Sequence, residues 1–232
     1  MHLSQRGLKK SIGELLAGGE AETVLATLAH YPPEKLLNSL FAGICSASER
    51  TKWNAVSAMG ATVARLAEQD MEAARIVMRR FMWSLNDESG GIGWGSPEAL
   101  GECLTLHPGL AREYTHILVA FMREDGFYLE LPSLQRGLMW ALIRLGGAQP
   151  DLLRKWEAPR HLLPYLDSPD PVVRCQAAYA LAQLKAAGIG PRLRELADDP
   201  TPFSFYRNRK LSPLTAGQLV REALALLEEP QA

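Results

Sequence analysis

Apolar residues recur along most of the chain with the period of three to four positions that is typical of amphipathic helices. The clearest stretch runs from Asp170 to Lys185, where one helical face carries Val173, Ala177, Ala180, Leu181 and Leu184. Asp170 is a suitable N-cap, Pro171 suits the first helical position and Gly188 marks the end. We find no convincing run that alternates apolar and polar residues over six or more positions between turn residues. The pattern therefore predicts an all-α protein without a sheet.

The helical pattern repeats at a regular interval. Five predicted helices carry a similar pair of residues near their middles, in most cases an alanine followed by an apolar residue. The second residues of these pairs are Met59, Cys103, Leu142, Leu181 and Leu226, which lie 44, 39, 39 and 45 positions apart. A period of about 40–47 residues with two helices per unit is typical of HEAT and armadillo repeats. The predicted pairs are 33–44 with 48–67, 70–85 with 96–106, 109–123 with 133–146, 151–166 with 170–187, and 190–198 with 214–228. An N-terminal pair, 4–17 and 20–30, is expected to cap the stack.

One stretch resembles a HEAT repeat closely, and it runs from His161 to Lys185. The family hallmarks are an apolar first helix, a turn with Asp and Pro, and the pattern V-R-x-x-A-A-x-A-L, which here are Leu162-Leu163, Asp167-Ser168-Pro169 and Val173 through Leu181. The family also has an Asp–Arg ladder, which we expect only around Asp170 and Arg174 because aligned positions elsewhere lack Arg. The segment 88–102 resembles one in an uncharacterised bacterial subgroup of HEAT-like proteins, which implies no reaction.

The resemblance implies the arrangement of the whole chain. Period and helix pairing extend it over about residues 33–228. The expected fold is a right-handed α-α superhelix, a HEAT-like solenoid of about five helix pairs with an N-terminal capping pair. We expect a single domain over residues 1–232, in which residues 1–31 form the cap and residues 32–229 form the repeats.

The repeats differ most in the turn that joins their two helices, which expands at 86–95, 124–132 and 198–213. Insertions on one face of a repeat array often form its binding face. These loops are rich in the aromatic and charged residues that anchor recognition surfaces. The candidate partner-binding residues are Asn86, Glu88, Trp94, Phe127, Tyr128, Tyr206, Arg207 and Arg209. For each aromatic ring, packing over the helix ends remains an alternative interpretation.

The second and fifth loops carry the sharpest hypotheses. The glycine-rich loop 86–95 precedes a helix that Ser96 can cap, and it has the composition of an anion site. Its acidic residues Asp87 and Glu88 would repel phosphate, which favours a structural turn instead. We expect the loops 86–95 and 198–213 to lie on one edge, about 30 Å apart at about 10 Å per helix layer. Trp94 and Tyr206 are the expected anchors of this edge for a peptide or protein.

Composition restricts the chemistry without suggesting a reaction. The 25 Lys and Arg residues nearly balance the 26 Asp and Glu residues, which argues against a nucleic-acid partner. No HExxH or GxSxG motif occurs in the sequence. The cysteines Cys45, Cys103 and Cys175 each lie in an apolar helical pattern typical of core residues. We therefore predict no catalytic residue, no metal ligand and no cofactor.

The sequence favours a non-enzymatic binding scaffold that holds a protein or peptide in its concave groove and along the loop edge. The alternative is a HEAT-fold enzyme or auxiliary that resembles DNA-lesion glycosylases or tetrapyrrole lyases. The DNA-binding version needs a basic concave face with tryptophans, whereas Trp53, Trp83 and Trp140 lie in apolar helical patterns and are expected in the core. No apolar stretch approaches the length of a membrane helix, which is about 18–20 residues, and the N-terminus lacks a signal-peptide pattern. We expect a cytoplasmic protein without a membrane partner.

Overall fold

A computed structural model describes residues 5–86 and 93–228 of the chain. These residues form thirteen α-helices, one 3₁₀-helix and one two-stranded sheet. They divide into two compact units, which are described separately below. Unit 1 comprises the described part of Met1–Leu110 together with Tyr206–Leu211, and unit 2 comprises Ala111–Phe205 with the described part of Ser212–Ala232.

The helices follow the predicted pairs closely. The first six are α1 (Gln5–Gly18), α2 (Ala21–Leu28), α3 (Pro33–Ile44), α4 (Glu49–Gln69), α5 (Met71–Asn86) and α6 (Ser96–Leu106). The next five are α7 (Pro108–Ala120), α8 (Pro132–Ala148), α9 (Pro150–Lys155), α10 (Ala158–Leu162) and, after the 3₁₀-helix (Leu163–Asp167), α11 (Pro171–Gln183). The chain continues with α12 (Gly190–Leu196), strands β1 (Pro202–Arg207) and β2 (Lys210–Thr215), and α13 (Ala216–Glu228). The predicted N-terminal pair and the second helix of every repeat are therefore confirmed as helices.

The core of unit 1 surrounds α4, the longest described helix, which packs against α1, α2, α3, α5 and α6. Ser48 caps α4 by accepting a hydrogen bond from the backbone N–H of Thr51. The buried Asn54 side chain donates to the carbonyl oxygens of Leu16 and Gly19, both at 2.9 Å. These bonds satisfy carbonyls at the end of α1 that have no partner within the helix, and so they attach α4 to the N-terminal pair.

The core of unit 2 is built around α11, which packs between α8 and α13. Asp170 caps α11 as predicted, since its carboxylate accepts from the backbone N–H groups of Val172 and Val173. Ala177, Ala180 and Leu181 are buried, as the helical stripe predicts. The small side chains of Ala177 and Ala180 let neighbouring helices approach closely, so the periodic pattern identifies the packing face of this repeat.

Charged pairs link successive helices more widely than the sequence suggested. The ladder is expected only around Asp170 and Arg174, but Asp170 pairs with Arg136 of α8, and Arg174 pairs with Asp199 in the turn after α12. The nitrogen–oxygen distances are 2.7, 2.7 and 3.0 Å for Lys52–Glu98 in unit 1 and for Arg136–Asp170 and Arg174–Asp199 in unit 2. Arg136 lies one position from the residue aligned with Arg174, so the repeat pattern does not indicate it.

The carboxylate of Asp170 has two roles, since it caps α11 and accepts hydrogen bonds from Arg136 at 2.7–3.1 Å. Burial raises the pKa of Asp170, but the bonds from Arg136 and from the backbone of Val173 and Val172 outweigh it. The pKa therefore lies below its ordinary value of 3.8. Because the folded-state pKa is lowered, the stabilisation is present above the unfolded pKa and is lost as the pH falls through the folded pKa.

Two substitutions separate these roles of Asp170. Asp170→Ala removes cap and ion pair and is expected to lower the free energy of unfolding by about 1–3 kcal/mol near neutral pH. Asp170→Asn keeps a good cap and is expected to cost only about 0–1 kcal/mol. In urea unfolding at strongly acidic pH, the difference between wild type and Asp170→Asn should disappear. Equal costs for the two variants at neutral pH would contradict a capping role.

The fifth loop differs from the prediction, because 202–207 and 210–215 form a β-hairpin rather than an irregular insertion. The prediction that the chain has no sheet is therefore wrong. The two turn residues Asn208 and Arg209 have φ values of 52° and 59°, as a type I′ hairpin turn requires. The usual Asn-Gly or Asp-Gly signal of a hairpin turn is missing, and Pro213 lies within β2. A two-stranded ribbon tolerates this proline because both of its strands are edges.

The predicted single helix 151–166 is broken into α9, α10 and the 3₁₀-helix. Glu157 takes a left-handed conformation with φ of 54°, and it immediately precedes α10. Pro159 lies in the first turn of α10 and Pro164 in the first turn of the 3₁₀-helix. Each proline lacks an N–H and fixes its own φ, so a continuous helix across this segment is disfavoured.

Two residues that were expected in the core are exposed. Trp83 on α5 is 74% exposed, whereas Trp53 and Trp140 are buried as predicted. The buried stripe of α5 passes through Phe81, and two positions further along a helix the side chain points about 200° away. Cys45 is exposed because it lies at the C-cap of α3, beyond the last helical turn, whereas the thiols of Cys103 and Cys175 are buried.

Candidate functional site

A cavity of about 860 Å³ opens in unit 2 beside the third expanded loop, and we call it the third-loop cavity. The loop between α7 and α8 forms one side, and α10 with the 3₁₀-helix and the following turn forms the other. The side chains that decide its chemistry are Arg123, Glu124, Asp125, Tyr128, Glu130, Gln135, Arg160, His161, Tyr165 and Asp167. Its size lies within the about 300–1,000 Å³ of typical small-ligand sites.

Hydrogen bonds hold the loop wall of the third-loop cavity in place. The buried Gln135 amide donates to the Leu129 carbonyl oxygen at 2.8 Å and to the Tyr128 hydroxyl at 3.1 Å. The Tyr165 hydroxyl donates to the Met122 carbonyl oxygen at 3.3 Å. Burial raises the pKa of the Tyr165 phenol, and the neighbouring Tyr128 hydroxyl raises it further. The phenol of Tyr165 is therefore neutral at physiological pH.

The ionic groups of the third-loop cavity are only partly paired with one another. Arg123 donates to both carboxylate oxygens of Asp125, at 2.9 and 2.7 Å, and these hydrogen bonds lower the pKa of Asp125. Asp167 accepts from Arg192 at 2.7 Å. Among the residues that the structure describes, none forms an ion pair with Glu124 or Glu130. Two carboxylates are thus available for a ligand.

The histidine of the third-loop cavity is a neutral group at physiological pH. Burial lowers the pKa of His161, and the positive charges of Arg123 and Arg160 lower it further. The ordinary histidine value is 6.5, so a lowered pKa leaves the imidazole uncharged near pH 7. His161 therefore adds no positive charge to the site.

The third loop is the one candidate loop whose residues line this cavity. Tyr128 is 39% exposed and lies in the lining. Phe127 is also exposed, and its ring centroid lies 6.2 Å from that of the buried Phe121. Tyr128 thus combines a fixed hydroxyl with a ring that remains accessible to a ligand.

The second loop places its candidates in unit 1. Trp94 is partly exposed in a turn, and its carbonyl oxygen accepts a hydrogen bond from the Cys45 thiol at 3.5 Å. Asn86 is exposed at the end of α5, whereas Glu88 lies outside the described residues. The N-cap of α6 is Gly95 rather than Ser96. Gly95 has a φ of 72° and its backbone lies against the Ile44 carbonyl oxygen, so a larger side chain would not fit at this position.

The tip of the hairpin places its candidates against α2 and α4 in unit 1. Tyr206 is 7% exposed, and its ring stacks on Trp53 with centroids 4.6 Å apart and planes inclined by 10°. Its hydroxyl shares a 2.9 Å hydrogen bond with Ser57. Arg209 pairs with Glu22, and Arg207 is exposed. For Tyr206, the packing interpretation therefore describes the structure better than that of an accessible anchor.

Sequence reasoning singled out Tyr128 but not the residues opposite it. His161 and Tyr165 lie more than thirty positions further along the chain, inside an apparently ordinary helical repeat. Gln135 belongs to α8 and carries no motif. The signal that could have identified them was the irregular stretch of prolines around residues 159–169, which interrupts the helix and opens space beside the third loop.

In residues 5–86 and 93–228, no group of three or more His, Cys, Asp or Glu side chains is placed to hold a metal ion. No helix within these residues is both long enough and apolar enough to span a membrane.

The repeat that forms one side of the cavity also matches a protein-family model. The model of the HEAT repeat matches residues 160–186. Residues 160–186 are a HEAT repeat. This HEAT repeat contains most of α10, the 3₁₀-helix and α11, so it supplies His161 and Tyr165 to the third-loop cavity.

Solved structures of designed repeat proteins extend the similarity from this HEAT repeat to the whole chain. One designed armadillo repeat protein is 18% identical over 98% of this chain and 96% of its own, with a TM-score of 0.55. A second, in complex with the peptide (KR)4, is 16% identical over 96% of this chain and 92% of its own, with a TM-score of 0.57. A third, computationally designed for modular peptide recognition, is 18% identical over 97% and 95%, with a TM-score of 0.53. A comparison with curated protein sequences gave no match. The predicted fold class, an α-solenoid of the HEAT and armadillo type, is therefore confirmed.

Proposed function

We propose that this chain is a non-enzymatic binding module that holds a peptide or a peptide-like segment of a protein at the third-loop cavity. The observation that carries the proposal is the cavity of about 860 Å³, whose rim presents the accessible Tyr128 ring on a loop fixed by Gln135. A preorganised rim loses less conformational freedom on binding, which favours affinity. A tyrosine is among the residues that most often dominate recognition energies.

The similarity to designed proteins supports the same proposal. One of those proteins is in complex with the peptide (KR)4, and another was designed for modular peptide recognition. The fold alone does not specify a function, so the proposal rests on the cavity and its rim. Phe127, exposed beside Tyr128 in the third loop, is a further contact residue within this proposal, whereas Asn86, Trp94 and Arg207 in unit 1 remain separate candidates for contact with a partner.

The proposal can be tested by selecting binders from a phage-displayed library of random twelve-residue peptides. We expect wild type to enrich a peptide family, and Tyr128→Ala to weaken its binding about 10-fold or more, since a central aromatic contact is worth about 1.4 kcal/mol or more. Trp83→Ala is the matched control because it removes an exposed aromatic side chain from α5, outside all three loops. Binding should survive this control unchanged.

Isothermal titration calorimetry with the enriched peptides measures the affinity of each variant, and circular dichroism confirms that each remains folded. Failure to enrich any peptide would contradict the proposal. Enriched peptides that bind Tyr128→Ala as tightly as wild type would contradict the assignment of this cavity.

A further inference from the structure

We propose that the third-loop cavity takes a basic side chain, arginine or lysine, from its bound peptide. This inference rests on the proposed function and specifies the partner of the same site. It follows from three features of the cavity: its charge balance, the position of its tyrosine rings and the neutralisation of its own cations.

The charge of the lining favours a cation. Four carboxylates, of Glu124, Asp125, Glu130 and Asp167, line the cavity against two guanidinium groups, of Arg123 and Arg160. Charged groups outside the lining leave this balance unchanged. Arg192 beside Asp167 and Glu157 beside Arg160 are opposite in sign. Arg174, which donates to the carbonyl oxygens of Ser168 and Pro169, is paired with Asp199. Because carboxylates outnumber guanidinium groups in the lining, its net charge is negative and the cavity attracts basic groups.

The arrangement of pairs leaves acceptors rather than donors for a ligand. The Arg123 guanidinium donates to both carboxylate oxygens of Asp125. His161 is uncharged because burial and the adjacent guanidinium groups of Arg123 and Arg160 lower its pKa. Glu124 and Glu130, in contrast, form no ion pair with any described residue. A phosphate or carboxylate ligand would therefore meet free carboxylates and one exposed guanidinium, that of Arg160.

The aromatic side chains complete a site for a cation. Tyr128 is partly exposed at the rim and lies between Glu124 and Glu130 in the sequence of the loop. Tyr165 lines the interior, and Glu124 is close enough to Tyr165 to raise its pKa by electrostatic repulsion. A guanidinium or ammonium group binds the face of an aromatic ring and a nearby carboxylate at the same time. The cavity offers both partners together.

The direct test measures binding of a fluorescein-labelled octapeptide of alternating Lys and Arg by fluorescence anisotropy. The double variant Glu124→Gln, Glu130→Gln is expected to weaken binding about 10-fold, since each lost charge-assisted contact removes a strong interaction. The matched control is Glu14→Gln, Glu34→Gln, which makes the same change in net charge on exposed helix positions of unit 1. Its expected effect is less than about 2-fold because these two carboxylates do not line the cavity and solvent-exposed charges are screened by salt.

A second variant acts in the opposite direction. The guanidinium of Arg160 lines the cavity and pairs only loosely, at 3.9 Å, with the carboxylate of Glu157. Arg160→Gln removes this positive charge and the repulsion that it causes, so it should tighten binding of the basic octapeptide about 3-fold. An octapeptide of alternating Glu and Gln, and inorganic phosphate as a competitor, test the opposite charge. Neither should bind in the cavity or displace the basic peptide.

Equal weakening in the cavity and control double variants would overturn the inference, because binding would then reflect net charge alone. Displacement by inorganic phosphate would overturn it as well. The two proposals fail in distinguishable ways. If the library peptides bind through Tyr128 but carry no basic residue in common, the binding module stands and the basic side chain is wrong. If no peptide depends on Tyr128, both are wrong.

Discussion

Replacing Leu181 by alanine is expected to lower the free energy of unfolding by about 2–5 kcal/mol, the usual range for a buried large-to-small change. Leu181 is 0% exposed on α11, which packs between α8 and α13. The substitution removes the transfer free energy of the lost methyl groups, and the helices on either side relax only partly into the space. Chemical denaturation followed by far-ultraviolet circular dichroism measures the change.

A matched control for this substitution lies in the same HEAT repeat. Leu163 at the start of the 3₁₀-helix is 45% exposed, so Leu163→Ala should cost much less than Leu181→Ala, about 1 kcal/mol or below. If Leu181→Ala costs under about 0.5 kcal/mol, a size typical of surface substitutions, Leu181 does not contribute to the helix packing of unit 2.

The helices of this protein are predictable from sequence because their signals are local and mutually consistent. In α11 the apolar stripe, the Asp170 cap and the proline at the first position all indicate the same boundaries. The buried stripe of α5 explains why the prediction of a core position for Trp83 fails. Trp83 is apolar but lies off the buried face of α5, so composition suggested core whereas helical geometry places the residue in solvent.

The hairpin shows the opposite situation, in which long-range contacts decide a local structure. Its turn lacks glycine and its second strand contains Pro213, so local propensity predicted an irregular loop. The structure places Tyr206 against Trp53, about 150 positions earlier in the chain, and a contact at that separation leaves no periodic signal in the sequence.

The candidate site was predictable only on the side where an insertion marks it. The expanded third loop indicated Tyr128, because long turns in repeat proteins are uncommon without a role. Glu124 and Glu130 were visible in the same loop, but their unpaired state depends on where Arg123 and Arg160 are placed in space. The opposite side is an ordinary HEAT repeat in sequence, and its proline-broken first helix creates the cavity only when the two elements face each other.

Replacing Tyr206 by alanine is expected to destabilise unit 1 by about 3–5 kcal/mol, the range for truncating a buried aromatic side chain. Its ring stacks on Trp53 and its hydroxyl shares a hydrogen bond with the buried Ser57. Tyr206→Phe keeps the ring and removes the hydroxyl that bonds Ser57, so its expected cost is about 0.5–1.5 kcal/mol. The difference between the two variants thus measures the contribution of the ring itself.

Leu211→Ala is the matched control, because Leu211 lies in the same tip of the hairpin but is 38% exposed. Its expected cost is about 1 kcal/mol or less. Urea unfolding is followed by tryptophan fluorescence, which is sensitive to the surroundings of Trp53, the residue on which Tyr206 stacks. Circular dichroism gives the stability of each variant. If Tyr206→Ala costs no more than Leu211→Ala, the stack does not stabilise unit 1. The tip of the hairpin would then be free to leave the α4 surface, and Tyr206 would return as a candidate for contact with a partner.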